Sequence, residues 1–247
     1  MPLKGPQRCS ITVITATLNA ADTLPRLISD LENQSDQDFF WIIKDGGSSD
    51  QTISLLESAR IKQKKILRSQ DTGIYDALNQ AIQIVSTSYY LVVGADDRLF
   101  PGSISYYKES AMDDPWMVSA GVLVNGCLKK PGSGKRWLHG MSAFVSSHSV
   151  GLMIRRDLHD RLSLYETRYS ICEDQRFVKV AVDQGYHVRH ADFVAGEYFL
   201  EGFSNKWFSK YLFEFFCVQV ETEKSYWLQL ALYVLRMIKN NKRIRIT

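Results

Sequence analysis

Apolar and polar positions follow two rhythms along the first hundred residues. Ser10 to Ala16 (SITVITA) predicts a strand, and Asp22 to Asn33 (DTLPRLISDLEN) then places Leu24, Leu27, Ile28 and Leu31 at helical spacing. Phe39 to Lys44 (FFWIIK) predicts a second strand, after which Ser49 or Asp50 caps a helix beginning near Gln51. Lys64 to Ser69 (KKILRS) is a third strand, Ile74 to Val85 (IYDALNQAIQIV) a helix, and the run YYLVVGA from Tyr89 a fourth strand. Strands and helices that alternate over such short connections predict an α/β fold, a Rossmann-like and mostly parallel sheet with flanking helices. Ligands of such sheets sit at the carboxyl ends of the strands.

Beyond this unit the pattern changes. WMVSAGVLVNGCLKK predicts a β-hairpin with Asn125-Gly126 as a type I′ turn, and YSICEDQRFVKVAVDQGY a helix preceded by Glu173 and Asp174, with Phe177, Val178, Ala181 and Val182 on one side. From Tyr198 to Trp227 there are 11 aromatic residues, and Arg236, Lys239, Lys242, Arg243 and Arg245 form a basic end. This predicts amphipathic C-terminal helices lying on an anionic membrane. Packing on the core or on a second subunit is the competing use of the same faces.

Composition narrows the class without naming it. With 247 residues, 45% of them apolar, the chain fits one large domain or a domain with an appendage. A net charge of +3 from 30 basic and 27 acidic residues is too balanced to argue for nucleic acid. Cys9, Cys127, Cys172 and Cys217 form no CxxC pair, so neither zinc nor a disulfide framework is suggested. No leader pattern or apolar run of membrane-spanning length is present, and the expectation is a cytoplasmic protein, peripheral at the inner face of the cell membrane.

Four strand ends carry the chemistry. The first ends in Thr15, Thr17 and Asn19, the second in Asp45-Gly46-Gly47-Ser48, the third leads to Asp71-Thr72-Gly73, and the fourth ends in Asp96 and Asp97. Carboxylates with no Cys or His beside them suit Mg2+ or Mn2+, ions held by one or two carboxylates plus substrate phosphates. Glycines let backbone amides approach such a ligand, and Asp45 offers an acceptor for the N–H of a base such as uracil.

VITATLNAADTL, IIKDGGSSDQT, SQDTGIYDALNQAI and VVGADD, in this order, resemble the nucleotide-binding half of the family-2 glycosyltransferases over roughly residues 10–98. The resemblance implies a GT-A fold and a metal-dependent, inverting hexosyl transfer from a UDP- or GDP-linked sugar to a glycan or lipid-linked acceptor, in assembly of a bacterial surface polysaccharide. It divides the chain into a catalytic domain (1–200, with donor half 10–98 and acceptor half 99–200) and a C-terminal helical region (201–247). By position, Thr17 and Asp45 contact the nucleoside and Asp76 lies near the sugar or ribose. Thr15, Asn19, Gly46, Gly73, Asn79 and Asp96 complete the donor set. Asp96 and Asp97 fill the family's D-x-D slot, with Gly94 where a strict motif has its first acid, so the metal falls mostly on Asp97.

In the acceptor half, the resemblance places the base on Asp174, with Glu173 beside it. His148, in SSHSVGLMIRRDL, is either a contact for donor phosphate or acceptor or a structural histidine, and in KPGSGKRW either Lys135 or Arg136 closes over a diphosphate or the loop is simply solvated. EGFSNK (Glu201 to Lys206) matches a loop bordering the acceptor site. A degenerate domain that binds nucleotide or glycan as a scaffold in an assembly complex stays open as the alternative, and a homo-oligomer is a candidate assembly for either. A nucleotidyltransferase would open with a Gly- and Arg-rich loop where this chain has ATLNAADT.

Overall fold

A computed structural model describes residues 10–132, 134–199 and 207–241. The Glu201–Lys206 loop and the basic residues Lys242, Arg243 and Arg245 lie outside them. The first half alternates as expected: β1 (Ile11–Thr17), α1 (Leu24–Glu32), β2 (Phe40–Asp45), α2 (Thr52–Ser58), β3 (Lys64–Arg68), α3 (Ile74–Ile82) and β4 (Tyr89–Val92). There follow β5 (Arg98–Leu99), α4 (Ser103–Ser110), β6 (Met117–Val124), β7 (Cys127–Lys129), α5 (Arg136–His139), β8 (Leu152–Arg155), α6 (Leu158–Arg161), α7 (Glu173–Asp183), β9 (Val188–Tyr198), α8 (Phe208–Thr222) and α9 (Tyr226–Lys239).

One sheet runs β3-β2-β1-β4-β8-β6-β9-β5, with β7 paired to β6. Its first four strands are parallel, and β8 joins β4 antiparallel to begin a mixed second half. β6 and β7 form the expected hairpin, with Asn125 and Gly126 at φ 46° and 78°, the left-handed pair that a type I′ turn demands.

The sheet is buried on both faces because its strands alternate apolar residues to each side. Ile11 and Val13 of β1 and Tyr89 and Leu91 of β4 pack with Leu24, Leu27 and Leu31 of α1 in one core. Ile14, Tyr90 and Val92 face the other, with Tyr75 and Leu78 of α3 and Phe177 of α7. Each fully buried leucine of α1 contributes about 2 kcal/mol.

α8 closes a third cluster, Phe215 and Val218 against Tyr169, Ile171 and Cys172. Its Glu214, nearly fully buried, accepts the amides of Ser170 (3.1 Å), Ile171 (2.8 Å) and Cys172 (3.1 Å), which fixes the loop leading into α7. α9 is anchored along one side only, by Gln229 to the Trp137 carbonyl (3.0 Å) and by Tyr233 stacked on Phe216. No helix among the described residues is long and apolar enough to cross a membrane.

Candidate active site

Parallel register sets Thr17 beside Asp45, so the ends of β1 and β2 reach one level. Asp45 is completely buried and both its oxygens are filled. Oδ1 accepts the hydroxyls of Thr17 (3.2 Å) and Ser48 (2.5 Å), and Oδ2 the amides of Gly47 (3.0 Å) and Ser48 (2.9 Å). Burial pushes this carboxyl up, but the donors outweigh it and hold the pKa below the ordinary value. Four donors use a carboxylate's lone-pair sites. Contact with a base therefore requires one of them to give way.

The neighbouring strand ends are tied into this turn. Asn19, left-handed at φ 49°, accepts the Ser49 amide (2.9 Å) and donates its own amide to Ser48 Oγ (2.8 Å). Lys44, which the sequence reading passed over as a strand end, is fully buried and donates to Asp71 (2.7 Å) and to the Ser69 carbonyl (2.7 Å). A side chain on Gly46 would press to 3.0 Å from that Asp71 carboxylate. Gly73, at φ 139°, opens α3, where Asp76 accepts the Thr72 amide (2.9 Å), the bond that lowers its pKa most.

Two members of the expected donor set have other partners. Thr15 lies two residues inside β1, fully buried, and its hydroxyl accepts the Trp41 indole N–H (3.0 Å). Asn79 faces inward from α3 and clamps the backbone of Tyr165 from both sides, donating to its carbonyl (2.7 Å) and accepting its amide (2.9 Å). Neither side chain offers a free polar atom to a nucleotide.

Past β4 the two acids converge. A Cβ at Gly94 would lie 2.7 Å from Asp97 Oδ2 and 2.9 Å from Asp96 Oδ1, so the space where a strict D-x-D has its first side chain is filled by the carboxylates themselves. Asp97 is 6% exposed, and its Oδ2 accepts the Ser149 hydroxyl (2.5 Å) and the Gly94 amide (2.8 Å). Burial raises its pKa to about 6, helped by the charge of Asp96 and opposed by those two bonds. Two hard oxygen ligands at one point fit a divalent cation whose other positions go to phosphate or water. Among the described residues, no group of three or more His, Cys, Asp or Glu could hold a metal.

Asp174 stands in the first turn of α7, half-buried, with Oδ1 2.8 Å from the Tyr75 hydroxyl, whose single proton is also within reach of the Ile171 carbonyl (2.8 Å). Burial lifts its pKa to about 6, while the Tyr75 hydrogen bond and the helix amides pull the other way. Burial pushes the pKa of Tyr198, at the end of β9, up, and the charges of Asp97 and Asp174 push it the same way. Tyr75 lies within the IYDALNQAI segment, yet the sequence reading passed over it in favour of its acidic neighbour.

The other acceptor-side residues divide. Glu173 is fully buried and accepts Arg176 Nε through both oxygens (3.1 and 2.9 Å) and the Glu166 amide (3.0 Å), so it braces the helix start and leaves Asp174 as the more accessible acid. Arg136 is bound bidentately by Asp183 and by Glu223 (2.9 Å), at the far end of α7, nine residues or roughly 13 Å along the axis from Asp174. Those ion pairs withdraw it from a phosphate role. His148 adjoins Ser149, and its Nε2 meets the Tyr165 hydroxyl (2.8 Å). The next residue, Val150, is held at φ 64°, a left-handed conformation costly for a β-branched side chain and worth about 1–3 kcal/mol of strain beside the site.

Comparison with known proteins places the fold and the family. A glycosyltransferase for PGL/p-HBAD biosynthesis from Mycobacterium tuberculosis (strain ATCC 25177 / H37Ra) is 33% identical over 92 residues, 36% of this chain and 36% of the relative. The teichoic acid poly(glycerol phosphate) polymerase of Staphylococcus epidermidis is 31% identical over 103 residues, 40% of this chain but 14% of the polymerase. Matched segments thus span about a third or less of these relatives' length. Among solved structures, S. aureus TarS 1-349 superposes with a TM-score of 0.66 at 15% identity, covering 93% of this chain and 72% of TarS. The mannosyltransferase PcManGT of Pyrobaculum calidifontis, solved with GDP-Man and Mn2+, gives 0.64 at 15%, covering 94% and 75%. Residues 12–161, which carry all four strand ends and His148, match the family described as Glycosyl transferase family 2, and the chain belongs to that family.

Proposed function

We propose that the protein transfers a sugar from a nucleoside diphosphate sugar to a hydroxyl of a glycan or lipid-linked acceptor, with inversion, in assembly of a cell-surface polysaccharide. The observation that carries this reading is Asp174: a half-buried carboxylate in the first turn of α7, held by Tyr75 of α3, with its pKa lifted by burial to about 6. Such a carboxylate is ionised at neutral pH yet basic enough to take a proton. It receives the proton of the acceptor hydroxyl, and Tyr75 holds its orientation. Asp97 and Asp96 hold Mn2+ or Mg2+, which when bound neutralises the charge of the departing diphosphate. TarS complexes with UDP and UDP-GlcNAc, and PcManGT with GDP-Man and Mn2+, support a nucleotide-linked donor by analogy of fold.

Thr17, Asn19, Asp45 and Gly46 supply the walls of the nucleoside pocket and Gly73 and Asp76 its sugar side, within a catalytic domain of residues 1–200. A thermal-shift screen of UDP, GDP and their sugars, with and without Mn2+, tests the donor site. Stabilisation by a diphosphate that deepens with Mn2+ is expected; its absence under both conditions defeats the reading.

The acceptor reading includes the membrane. Trp227, Leu228, Ala231, Val234, Leu235 and Ile238 recur at helical spacing on the solvent side of α9, with Trp227 76% and Ile238 68% exposed. Lys239 ends that face, and the sequence continues with Lys242, Arg243 and Arg245. Arg236, counted with this basic end in sequence, instead turns inward, donating to the Leu138 carbonyl (2.8 Å) and lying over Phe215. The apolar face fits the interface of an anionic bilayer. Co-sedimentation with phosphatidylglycerol vesicles that is lost in Trp227→Glu/Leu235→Glu supports it; equal sedimentation of the variant rules it out.

A further inference from the structure

Behind His148 runs a buried chain of hydrogen bonds whose direction is fixed by its far end. His159 Nδ1 lies 2.8 Å from the Ser163 carbonyl, which only accepts, so Nδ1 carries the proton. Neutral His159 then presents a bare Nε2, and Tyr90, 2.7 Å away, must donate to it. Tyr90 has a single hydroxyl proton, so at the next link (2.9 Å) Tyr165 donates to Tyr90. Tyr165 has likewise spent its proton, and the last link (2.8 Å) is a donation from His148 Nε2–H to Tyr165. Burial pushes the pKa of both histidines down to about 4, so each ring carries one proton at neutral pH.

One ring nitrogen therefore remains: His148 Nδ1, unprotonated and without a hydrogen-bond partner among the described residues. Its neighbour Ser149 binds Asp97, and Tyr165 packs against Tyr75, the partner of Asp174. His148 is thus linked to Asp97 through its chain neighbour Ser149 and to Asp174 through Tyr165 and Tyr75. A bare imidazole nitrogen attracts O–H and repels a phosphate oxygen.

Resting on the glycosyl-transfer reading, we infer that His148 Nδ1 is a fixed hydrogen-bond acceptor for a sugar hydroxyl, and that Tyr165, Tyr90 and His159 are positioning residues that set its tautomer. Of the two contacts that the sequence left open for His148, donor phosphate or acceptor, a bare nitrogen disfavours the phosphate. The hydroxyl belongs either to the donor sugar or to the acceptor.

The test is 15N NMR of the histidine rings in the full chain, a readout that does not depend on turnover. His148 should show a protonated Nε2 and an unprotonated Nδ1; the opposite tautomer overturns the inference even if transfer occurs. Tyr90→Phe, which does not touch His148, frees the Tyr165 proton to turn toward His148 Nε2 and should move His148 to the Nδ1–H form; an unchanged tautomer in the folded variant removes the role given to the chain. Tyr165→Phe, which removes the link itself, is the second variant should Tyr90→Phe not fold.

Titration then identifies the hydroxyl. A change at Nδ1 with UDP-N-acetylglucosamine but not UDP assigns it to the donor sugar, and a change only when methyl glucoside is added to the UDP complex assigns it to the acceptor. A change with UDP alone, or none with any probe while UDP binds, overturns the proposal. In turnover, His148→Ala should lower kcat/KM about tenfold or more while His148→Asn, which keeps an acceptor oxygen near the Nδ1 position, restores most of it; equal activity of all three forms counts against it.

Discussion

Asp45 and Asp174 are both aspartates beside the same sheet, and they have opposite surroundings. Asp45 is wholly buried under four donors and holds its charge easily; Asp174 is half-buried with Tyr75 as its side-chain donor, and its pKa rises to about 6. A carboxylate saturated with hydrogen bonds keeps a turn in shape, whereas one short of donors is ready to take a proton. The turn around Asp45 is thus held in shape by the chain itself, whereas Asp174 keeps its basicity. A sequence motif marks both kinds of acid in the same way.

The sharpest way to break this contrast is Asp174→Asn, which should cost about 10²–10⁴-fold in transfer. Loss of less than tenfold would take the base away from Asp174. The same change should raise the melting temperature at pH 8. In the folded state the raised pKa favours the protonated form, so stability falls as pH climbs from near 4 through about 6, and a neutral amide removes that penalty.

Asp45→Ala should leave the Gly47 and Ser48 amides unpaired and cost about 1–3 kcal/mol in denaturant unfolding. Weakened UDP binding in a variant of unchanged stability would instead make Asp45 a direct ligand. For the pH profile, kcat/KM should rise with pH through about 6 as Asp174 loses its proton. Tyr75→Phe removes the bond that lowers that pKa and should move this limb upward, with a smaller effect at pH 8; a shift downward would contradict the assignment. Smallest of all, Thr15→Val should leave UDP affinity within about twofold and cost roughly 1 kcal/mol of stability through Trp41.

The parallel half of the fold was legible because periodicity and strand ends are local properties. Asn125-Gly126 was equally plain, since a type I′ turn selects its residues directly. What each strand-end side chain touches is settled by partners far along the chain. Thr15 reads as a rim residue until Trp41, from the next strand, takes its hydroxyl. Asn79 reads as donor-side until Tyr165, 86 residues away, occupies it. Ser149 and Tyr165 belong to no periodic pattern, and only the fold brings them to Asp97 and His148. Arg236 shows the same limit at the other end, a cation in sequence and a buried brace in the structure.

Glu214 bears on how this protein can be trimmed. Its carboxylate gathers the amides of Ser170, Ile171 and Cys172, so the support of the proposed base comes from a helix that sequence alone would assign to the dispensable end. A chain cut before Phe208 would lose the brace that seats Asp174, whereas one cut before Tyr226 would keep it and uncover Phe215 and Phe216 instead.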